Sequence, residues 1–465
     1  MLDTTISSFN LSILYILFGF LILLVEFLRK RERIFDFLTL ANGYFMLVYI
    51  ITPLYFLLTL EPYYGSIFNP KVFFTSFFAY SLMVFGWRIH GSSYKIKYYT
   101  FGTQNKVLFD LKIYRLLFSL LISMSILTLI YFFGLGGIQK ALSTGALMRY
   151  SFVETQIGNF SYLARVIAMV PLICGFYFYF LIESPKFKKL NNIKILFIIS
   201  IIISLLRILV GASRGAFLNL FLMQLLIYFK VRNTINVRAT VVISLLIVIF
   251  VMYGKQVFFA TATAISGGDF FEAFSYLNYT RGTSDKTGVE LILREYQHVI
   301  HSLNAAFTNA GINISYTFFN DWYWSVLRVI PQKITKIFLD RPDTISFINT
   351  GILINRLETS IPPGIVASFY YSLGNIGVIL GMFLFGYYGR KINNKLLALA
   401  KVDAIYYVPF TFLAFTYGGF IINGDPNIYI YHIIWPIFFY FLIRRIQRKY
   451  SFSSIIIHTR NRTTD

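Results

Sequence analysis

Eleven long apolar runs follow one another along this 465-residue chain. Most of them are long enough to cross the roughly 30 Å of hydrocarbon in a bilayer. Hydrophobic residues make up 57% of the chain and charged residues only 13%, a balance unsuited to a water-exposed surface. The sequence therefore predicts an all-α, polytopic transmembrane helical protein that forms one integral membrane domain over 1–465. The predicted spans are 9–28, 36–60, 72–88, 115–134, 162–182, 193–210, 215–229, 239–255, 364–388, 402–421 and 427–443.

The basic residues predict the orientation of these spans. With an external N-terminus, the inner loops carry 27 Lys or Arg residues and the short outer loops carry four. Because short cytoplasmic loops are enriched in Lys and Arg, we expect the N-terminus outside the membrane and the C-terminus in the cytoplasm. The net charge of +22 has the same topological origin, so nucleic acid is not an expected partner.

One large outer segment, 256–363, is predicted between the eighth and ninth spans. It holds eight basic and nine acidic residues, unlike the inner loops, and we expect short amphipathic helices lying against the outer face. The chain has no phosphate-binding glycine loop, no HExxH motif and a single cysteine, Cys174. No metal site and no cofactor are therefore predicted, and ATP-driven transport is disfavoured.

Four cations from different spans are predicted at one depth in the outer leaflet. Each alone is compatible with snorkelling, in which a basic side chain near a helix end reaches the lipid headgroups. Together, on a face otherwise poor in basic residues, they favour a binding site for an anionic group such as a lipid pyrophosphate. These residues are Arg165, Arg207, Arg214 and Lys255.

Within the outer segment, 287–307 has a clear helical period. The simpler interpretation of the polar stripe on this helix is a solvated face with a Glu290–Arg294 ion pair. The alternative is a polar face turned into a cavity, with Glu295, His298 or His301 as the general base. Metal ligation by the two histidines is disfavoured because no third ligand is evident. The apolar stripe comprises Val289, Leu293, Tyr296, Ile300 and Leu303, and the polar stripe comprises Glu290, Arg294, His298 and His301.

Three further arginines lie in the outer segment, at Arg281, Arg328 and Arg341. Trp322 and Trp324 near Arg328 suit the apolar faces of sugar rings, although an interfacial membrane anchor is the preferred interpretation. The prolines and glycine of 358–364 break the backbone where the ninth span begins, which is tolerated at membrane depth where the chain lines protein or a cavity. Gly377 and Gly381 beyond them have the spacing of close helix packing.

Several of these segments resemble the Wzy-type polymerases of O-antigen and enterobacterial common antigen. The turn Gly211-Ala212-Ser213-Arg214-Gly215, which joins two tilted spans or interrupts one broken element, is similar to their G-x-[ST]-R turn. The stretch Tyr276–Arg281 looks similar to their Y-L-x-x-T-R sequence, and Arg341-Pro342 precedes a Ser/Pro/Gly-rich start to a glycine-containing span. Together these segments cover roughly 205–385.

The resemblance implies a metal-independent, GT-C-like membrane glycosyltransferase. Such enzymes join undecaprenyl-pyrophosphate-linked oligosaccharide repeat units at the periplasmic face, and a chain-length regulator protein is a further expected partner. Arg214 and Arg281 match the family's arginines. The assignment of Arg165, Arg207 and Lys255 to the substrate site rests on the predicted topology alone. Two alternatives stay open: an O-antigen ligase, for which His298 or His301 is the important residue, and a flippase for lipid-linked oligosaccharides.

Overall fold

The protein is a bundle of helices, as the sequence predicts. The computed structural model describes residues 8–29, 35–59, 69–89, 93–100, 103–134, 136–137, 139–141, 170–183, 191–210, 214–232, 237–265, 267–280, 288–327, 330, 342–355, 360–450 and 453–460. Within these ranges the main helices are α1 (Ser8–Leu28), α2 (Phe37–Met46), α3 (Thr52–Thr59), α4 (Pro70–Ile89), α5 (Thr103–Gly134), α6 (Val170–Glu183), α7 (Asn191–Val210), α8 (Arg214–Arg232), α9 (Val237–Ile265), α10 (Phe270–Thr280), α11 (Gly288–Asn309), α12 (Asn320–Leu327), α13 (Ile345–Ile354), α14 (Ile365–Val402), α15 (Tyr407–Asn423) and α16 (Pro426–Tyr450).

Eight spans in the described part of the chain are long and apolar enough to cross a membrane, and they coincide with eight of the eleven predicted spans. One of them joins α2 to α3 through a π-helical turn at Leu47–Ile51. A bent pair, Thr240–Phe250 and Met252–Ile265, makes a ninth span if it counts as one helix, with a 42° bend. The apolar helices at the remaining two predicted positions, Val170–Ile182 and Leu220–Phe229, are shorter. Within the described residues, eight of the predicted spans, or nine with the bent pair, are therefore long and apolar enough, and the count of about 11 spans stays a prediction.

Two helices run further into the predicted inner loops than the sequence indicates. Helix α5 begins at Thr103 and α14 continues to Val402, where the predicted loop 389–401 is helical. At these ends the ammonium group of Lys106 lies 2.7 Å from a carboxylate oxygen of Asp403 and 3.1 Å from one of Asp110. This ion-pair cluster joins the start of α5 to the end of α14, and both ends belong to the predicted cytoplasmic side.

A two-stranded antiparallel ribbon departs from the all-α prediction. Strand β1 (Ser93–Thr100) pairs with β2 (Ser453–Arg460), in a register that places Ser93 opposite Arg460 and Thr100 opposite Ser453. β-Branched or aromatic residues are frequent in both segments and favour strands here, outside the apolar runs. The pairing requires both segments to lie on the same side of the bilayer, as the predicted topology has them.

Helices α4 and α14 cross closely at two glycines. A Cβ built on Gly86 would come within 3.0 Å of the backbone of Phe383, and one built on Gly386 would come equally close to the backbone of Met83. The two helix backbones therefore touch, because glycine removes the side chain that would separate them. Gly377 and Gly381, which the sequence assigns to close helix packing, also meet close neighbours: a Cβ on Gly377 would come within 3.0 Å of the backbone of Phe369, and one on Gly381 would meet the ring of Phe369.

We expect Gly386→Ala to destabilise the protein by about 1 to 3 kcal/mol, because the new methyl group forces two backbones apart. Gly43→Ala is the matched control, since a Cβ at Gly43 meets no atom within 4 Å and alanine favours helix. Thermal unfolding of both purified variants in detergent measures the difference. Equal melting temperatures for the two variants would contradict this account of the crossing.

Candidate active site

Helix α11 carries the predicted polar stripe, and the fold buries it. Leu293, Ile300 and Leu303 are buried, as the predicted apolar stripe requires, but Val289 at the first turn is 59% exposed. Val299 touches Gly364 at the start of α14, so α11 packs inside the bundle rather than on its outer face. The burial of α11 arises from neighbours on several sides, which helical periodicity alone does not reveal.

The Glu290–Arg294 pair forms as predicted, but it is not solvated. The guanidinium of Arg294 lies 2.6 Å from a carboxylate oxygen of Glu290, and the two side chains are only 17% and 11% exposed. Of the two interpretations of this stripe, the solvated polar face is therefore wrong for the Glu290–Arg294 pair. The negative charge of Glu290 compensates the positive charge of Arg294. Arg294 is therefore a weaker candidate for binding an anionic substrate than the sequence suggests.

His298 has the geometry of a neutral base. Its Nδ1 lies 2.8 Å from the backbone oxygen of Glu295, an acceptor, so Nδ1 carries the proton and Nε2 keeps its lone pair. That Nε2 atom is buried and has no hydrogen-bond partner among the described residues. Burial lowers the pKa of His298 below its ordinary value, so the ring is neutral at pH 7. Of the three predicted base candidates, His298 fits best.

His301 and Glu295 complete the predicted trio. His301 is 4% exposed, and burial together with the neighbouring His298 lowers its pKa to about 4. Glu295 is half-buried, and its backbone oxygen accepts the hydrogen bond from Nδ1 of His298. No group of three His, Cys, Asp or Glu residues suited to a metal ion occurs in the described ranges.

Helix α14 is broken, and its first part, residues 365–372, forms a separate buried half-helix. Gly374 (φ +60°) interrupts the helix, and the ring of Phe369 contacts Gly381, which a continuous helix would place about 18 Å away. The half-helix therefore folds back against the rest of α14. Its last carbonyl oxygens, of Tyr371 and Ser372, accept hydrogen bonds of 3.0 Å from the backbone N–H groups of residues 317 and 318.

Hydrogen bonds join the half-helix to α11 through α13. The Asn349 amide donates to Ser302 Oγ and to the Ile361 backbone oxygen, both at 2.9 Å, and accepts from Tyr371 at 3.2 Å. Ser302 in turn donates to the backbone oxygen of His298 at 2.7 Å. This network fixes the turn that carries His298, and the broken backbone at 358–364 lies against protein where it is described, as predicted.

A buried carboxylate pair was missed by the sequence reasoning. Asp321 at the start of α12 is 4% exposed, and Asp425 in the turn between α15 and α16 is 1% exposed. Asp425 accepts hydrogen bonds from Ser346 and from the backbone and side chain of Asn427. One oxygen of Asp321 has no partner within the described residues, and burial, then the nearby Asp425, raise its pKa to about 6. The signal available was an acidic residue inside the aromatic run FFNDWYW.

The tryptophans face protein rather than the membrane interface, so the preferred prediction of an anchor is wrong. Trp324 is 7% exposed. The indole of Trp322 stacks on Phe369, with centroids 5.5 Å apart and planes 15° apart. Trp322 therefore supports the half-helix.

The predicted cation cluster is only partly within the described residues. Arg207 lies in the last turn of α7, with its guanidinium 5.3 Å from the ring centroid of Tyr131. Arg214 opens α8 as predicted. Lys255 does not close its span, because α9 continues past it to Ile265. Arg165, Arg281, Arg328 and Arg341 lie outside the described residues.

Comparison of the chain with protein-family models, with curated proteins and with solved structures gives no match.

Proposed function

We propose that this protein is a membrane glycosyltransferase that polymerises undecaprenyl-pyrophosphate-linked oligosaccharide repeat units at the periplasmic face of a bacterial inner membrane. The observation that carries the proposal is the neutral His298, whose buried Nε2 atom has no hydrogen-bond partner among the described residues and suits a general base. The resemblance in the motifs around Arg214 and Arg281 supplies the substrate class.

In the proposed reaction a hydroxyl group of the acceptor sugar attacks the anomeric carbon of the donor glycan. The new glycosidic C–O bond forms while the bond to the lipid pyrophosphate breaks, and the hydroxyl proton passes to Nε2 of His298. The backbone oxygen of Glu295 holds the ring and stabilises the imidazolium that forms. Arg214 and Arg281 neutralise the departing pyrophosphate, a role that suits the guanidinium fork.

A flippase for lipid-linked oligosaccharides is the second candidate, favoured by the broken helix α14. Discontinuous helices beside a buried polar region are a feature of many secondary transporters. A flippase moves its substrate without bond cleavage, so chemistry separates the two functions.

Deleting the gene in its host tests the proposal. We expect single repeat units attached to the lipid A core, because chain growth stops while export continues. Loss of a ligase would instead leave long glycan on its lipid carrier, and loss of a flippase would trap single units inside. Purified protein should lengthen lipid-linked repeats without nucleotide and in the presence of a chelator, since the pyrophosphate leaving group supplies the driving force. Polymer persisting in the deletion strain would overturn the proposal.

A further inference from the structure

Asp321 lies beside the break in helix α14, next to two hydroxyl groups. One of its carboxylate oxygens is 3.5 Å from Thr317 Oγ1, which in turn is 3.4 Å from Oγ of Ser372, the last residue of the half-helix. The other oxygen is buried without a hydrogen-bond partner, and none of the ion pairs among the described residues involves Asp321. Because buried charges in proteins are paired or bound to metal ions, Asp321 is a candidate ligand.

The spacing of these three oxygen atoms suits ligands around a cation better than a chain of hydrogen bonds. Hydrogen bonds between oxygen atoms measure about 2.7 to 2.8 Å. The one hydroxyl proton of Thr317 also serves only one of its two neighbours. In a regular octahedron, ligand spacings of 3.4 and 3.5 Å correspond to cation–oxygen distances of about 2.4 to 2.5 Å, which suit Ca²⁺ and the similarly sized Na⁺. Mg²⁺, at about 2.0 to 2.1 Å, needs ligands about 2.9 Å apart.

The charge at this position selects a monovalent cation. Asp321 is the one carboxylate among the three groups, and the nearby Asp425 already accepts hydrogen bonds from Ser346 and Asn427. A single Na⁺ balances a single carboxylate, whereas Ca²⁺ usually takes about six to eight oxygen ligands with several carboxylates among them. Ser372 ends the half-helix, and the negative end of a helix dipole also favours a cation.

The turn that carries Thr317 and Asp321 is strained. Phe318 and Phe319 have positive φ angles of 49° and 58°, in the left-handed region that a bulky residue rarely adopts. Such strain persists only where the surroundings impose it, and it is frequent at ligand sites. The backbone N–H groups of residues 317 and 318 donate to the last carbonyl oxygens of the half-helix, which holds the turn against the break.

We propose that Asp321, Thr317 and Ser372 bind one Na⁺ ion at the break in helix α14. The inference goes beyond the proposed function and does not depend on it, because these ligands lie outside the polar stripe of α11. Bound sodium joins the end of the half-helix to the turn before α12. Chelators of divalent ions leave it in place.

Equilibrium binding of radiolabelled Na⁺ to the full-length protein in detergent tests the proposal, with choline chloride keeping the ionic strength constant. We expect saturable binding of one ion per chain. Thr317→Val keeps the shape of the side chain but removes a ligand, so it should weaken binding at least tenfold. T317S retains the hydroxyl group and should bind within about threefold of wild type.

Thr411→Val is the matched control for T317V. Thr411 is also a buried threonine whose hydroxyl has no partner in the described ranges. It lies near the start of α15, at the end opposite Asp425. We expect T411V to change sodium affinity less than twofold.

Thermal unfolding at pH 8 gives a second measurement. Sodium chloride should raise the melting temperature of the wild type relative to choline chloride, because a ligand that binds only the folded protein stabilises it. Asp321→Asn should lose this dependence on sodium. The stability that D321N gains over wild type should be largest in choline chloride, where the wild-type carboxylate has no counter-ion.

The outcomes separate the sodium site from the enzyme activity. Absence of saturable sodium binding overturns the proposal, and so does a T317V variant that binds as tightly as wild type or a T411V variant that loses as much. Ca²⁺ that displaces the label at lower concentration than unlabelled Na⁺ overturns the monovalent assignment. Sodium binding with the expected pattern in a protein without polymerase activity would support the site and refute only the proposed function.

Discussion

Replacing His298 by Asn is expected to lower the rate of chain extension by about 10²- to 10⁴-fold. The Asn amide still donates to the backbone oxygen of Glu295, so the helix keeps its local bond but loses the basic nitrogen. Extension of lipid-linked repeats by purified protein, measured with saturating donor, reports the change.

The wild-type rate should hold as pH falls below 6.5, because burial lowers the pKa of His298 and keeps the ring in its basic form.

His301→Asn is the control for this result. His301 lies one turn further along α11 and is also buried and neutral, so its replacement perturbs the same packing. We expect a much smaller loss of rate there. Rates for H298N within a few-fold of wild type would remove His298 as the base, and equal large losses in both variants would indicate a shared packing defect.

Asp321→Asn is expected to stabilise the protein at pH 8 by about 3 kcal/mol. The pKa of Asp321 rises from 3.8 unfolded to about 6 in the fold, so its ionisation opposes folding. This destabilisation is absent below the unfolded value of 3.8 and complete above about 6. The gain in melting temperature should therefore be largest at pH 8, about half as large at pH 5, and near zero at pH 3.8.

Asp425→Asn provides the contrast in the same pair. The carboxylate of Asp425 accepts bonds from Ser346 and Asn427, so an amide that replaces an acceptor by a donor disrupts them. We expect D425N to lower the melting temperature at every pH. A D321N variant that is no more stable than wild type at pH 8 would show that the fold does not destabilise the ionised form of Asp321, contrary to this account.

The spans could be predicted because bilayer thickness imposes a length of apolar sequence that few soluble folds share. The ends of the spans could not be predicted, because helices such as α5 and α14 continue beyond the apolar runs. Contacts with neighbouring segments stabilise these extensions. Lys255 is an example: the predicted eighth span ends at this residue, but in the structure it lies inside α9.

The candidate site was predicted only in part. Periodicity identified the polar stripe of α11 and His298, but burial depends on distant segments such as the half-helix and α13. The choice among the three base candidates needed a hydrogen bond to a backbone oxygen, which no sequence pattern encodes. Asp321 was overlooked because its raised pKa comes first from burial by distant segments and then from Asp425, about a hundred residues later.

The glycine crossing of α4 and α14 has a consequence for biosynthesis. Gly86 leaves the ribosome 300 residues before Gly386, its partner in the crossing. At about 5 to 20 residues per second, α4 spends roughly 15 to 60 s in the membrane with its glycine surface uncovered. The β1–β2 ribbon closes later still, because Ser453–Arg460 follows Gly386 in the chain. The early helices of this bundle therefore wait for their later partners, and they need protection by the insertion machinery or by lipid until then.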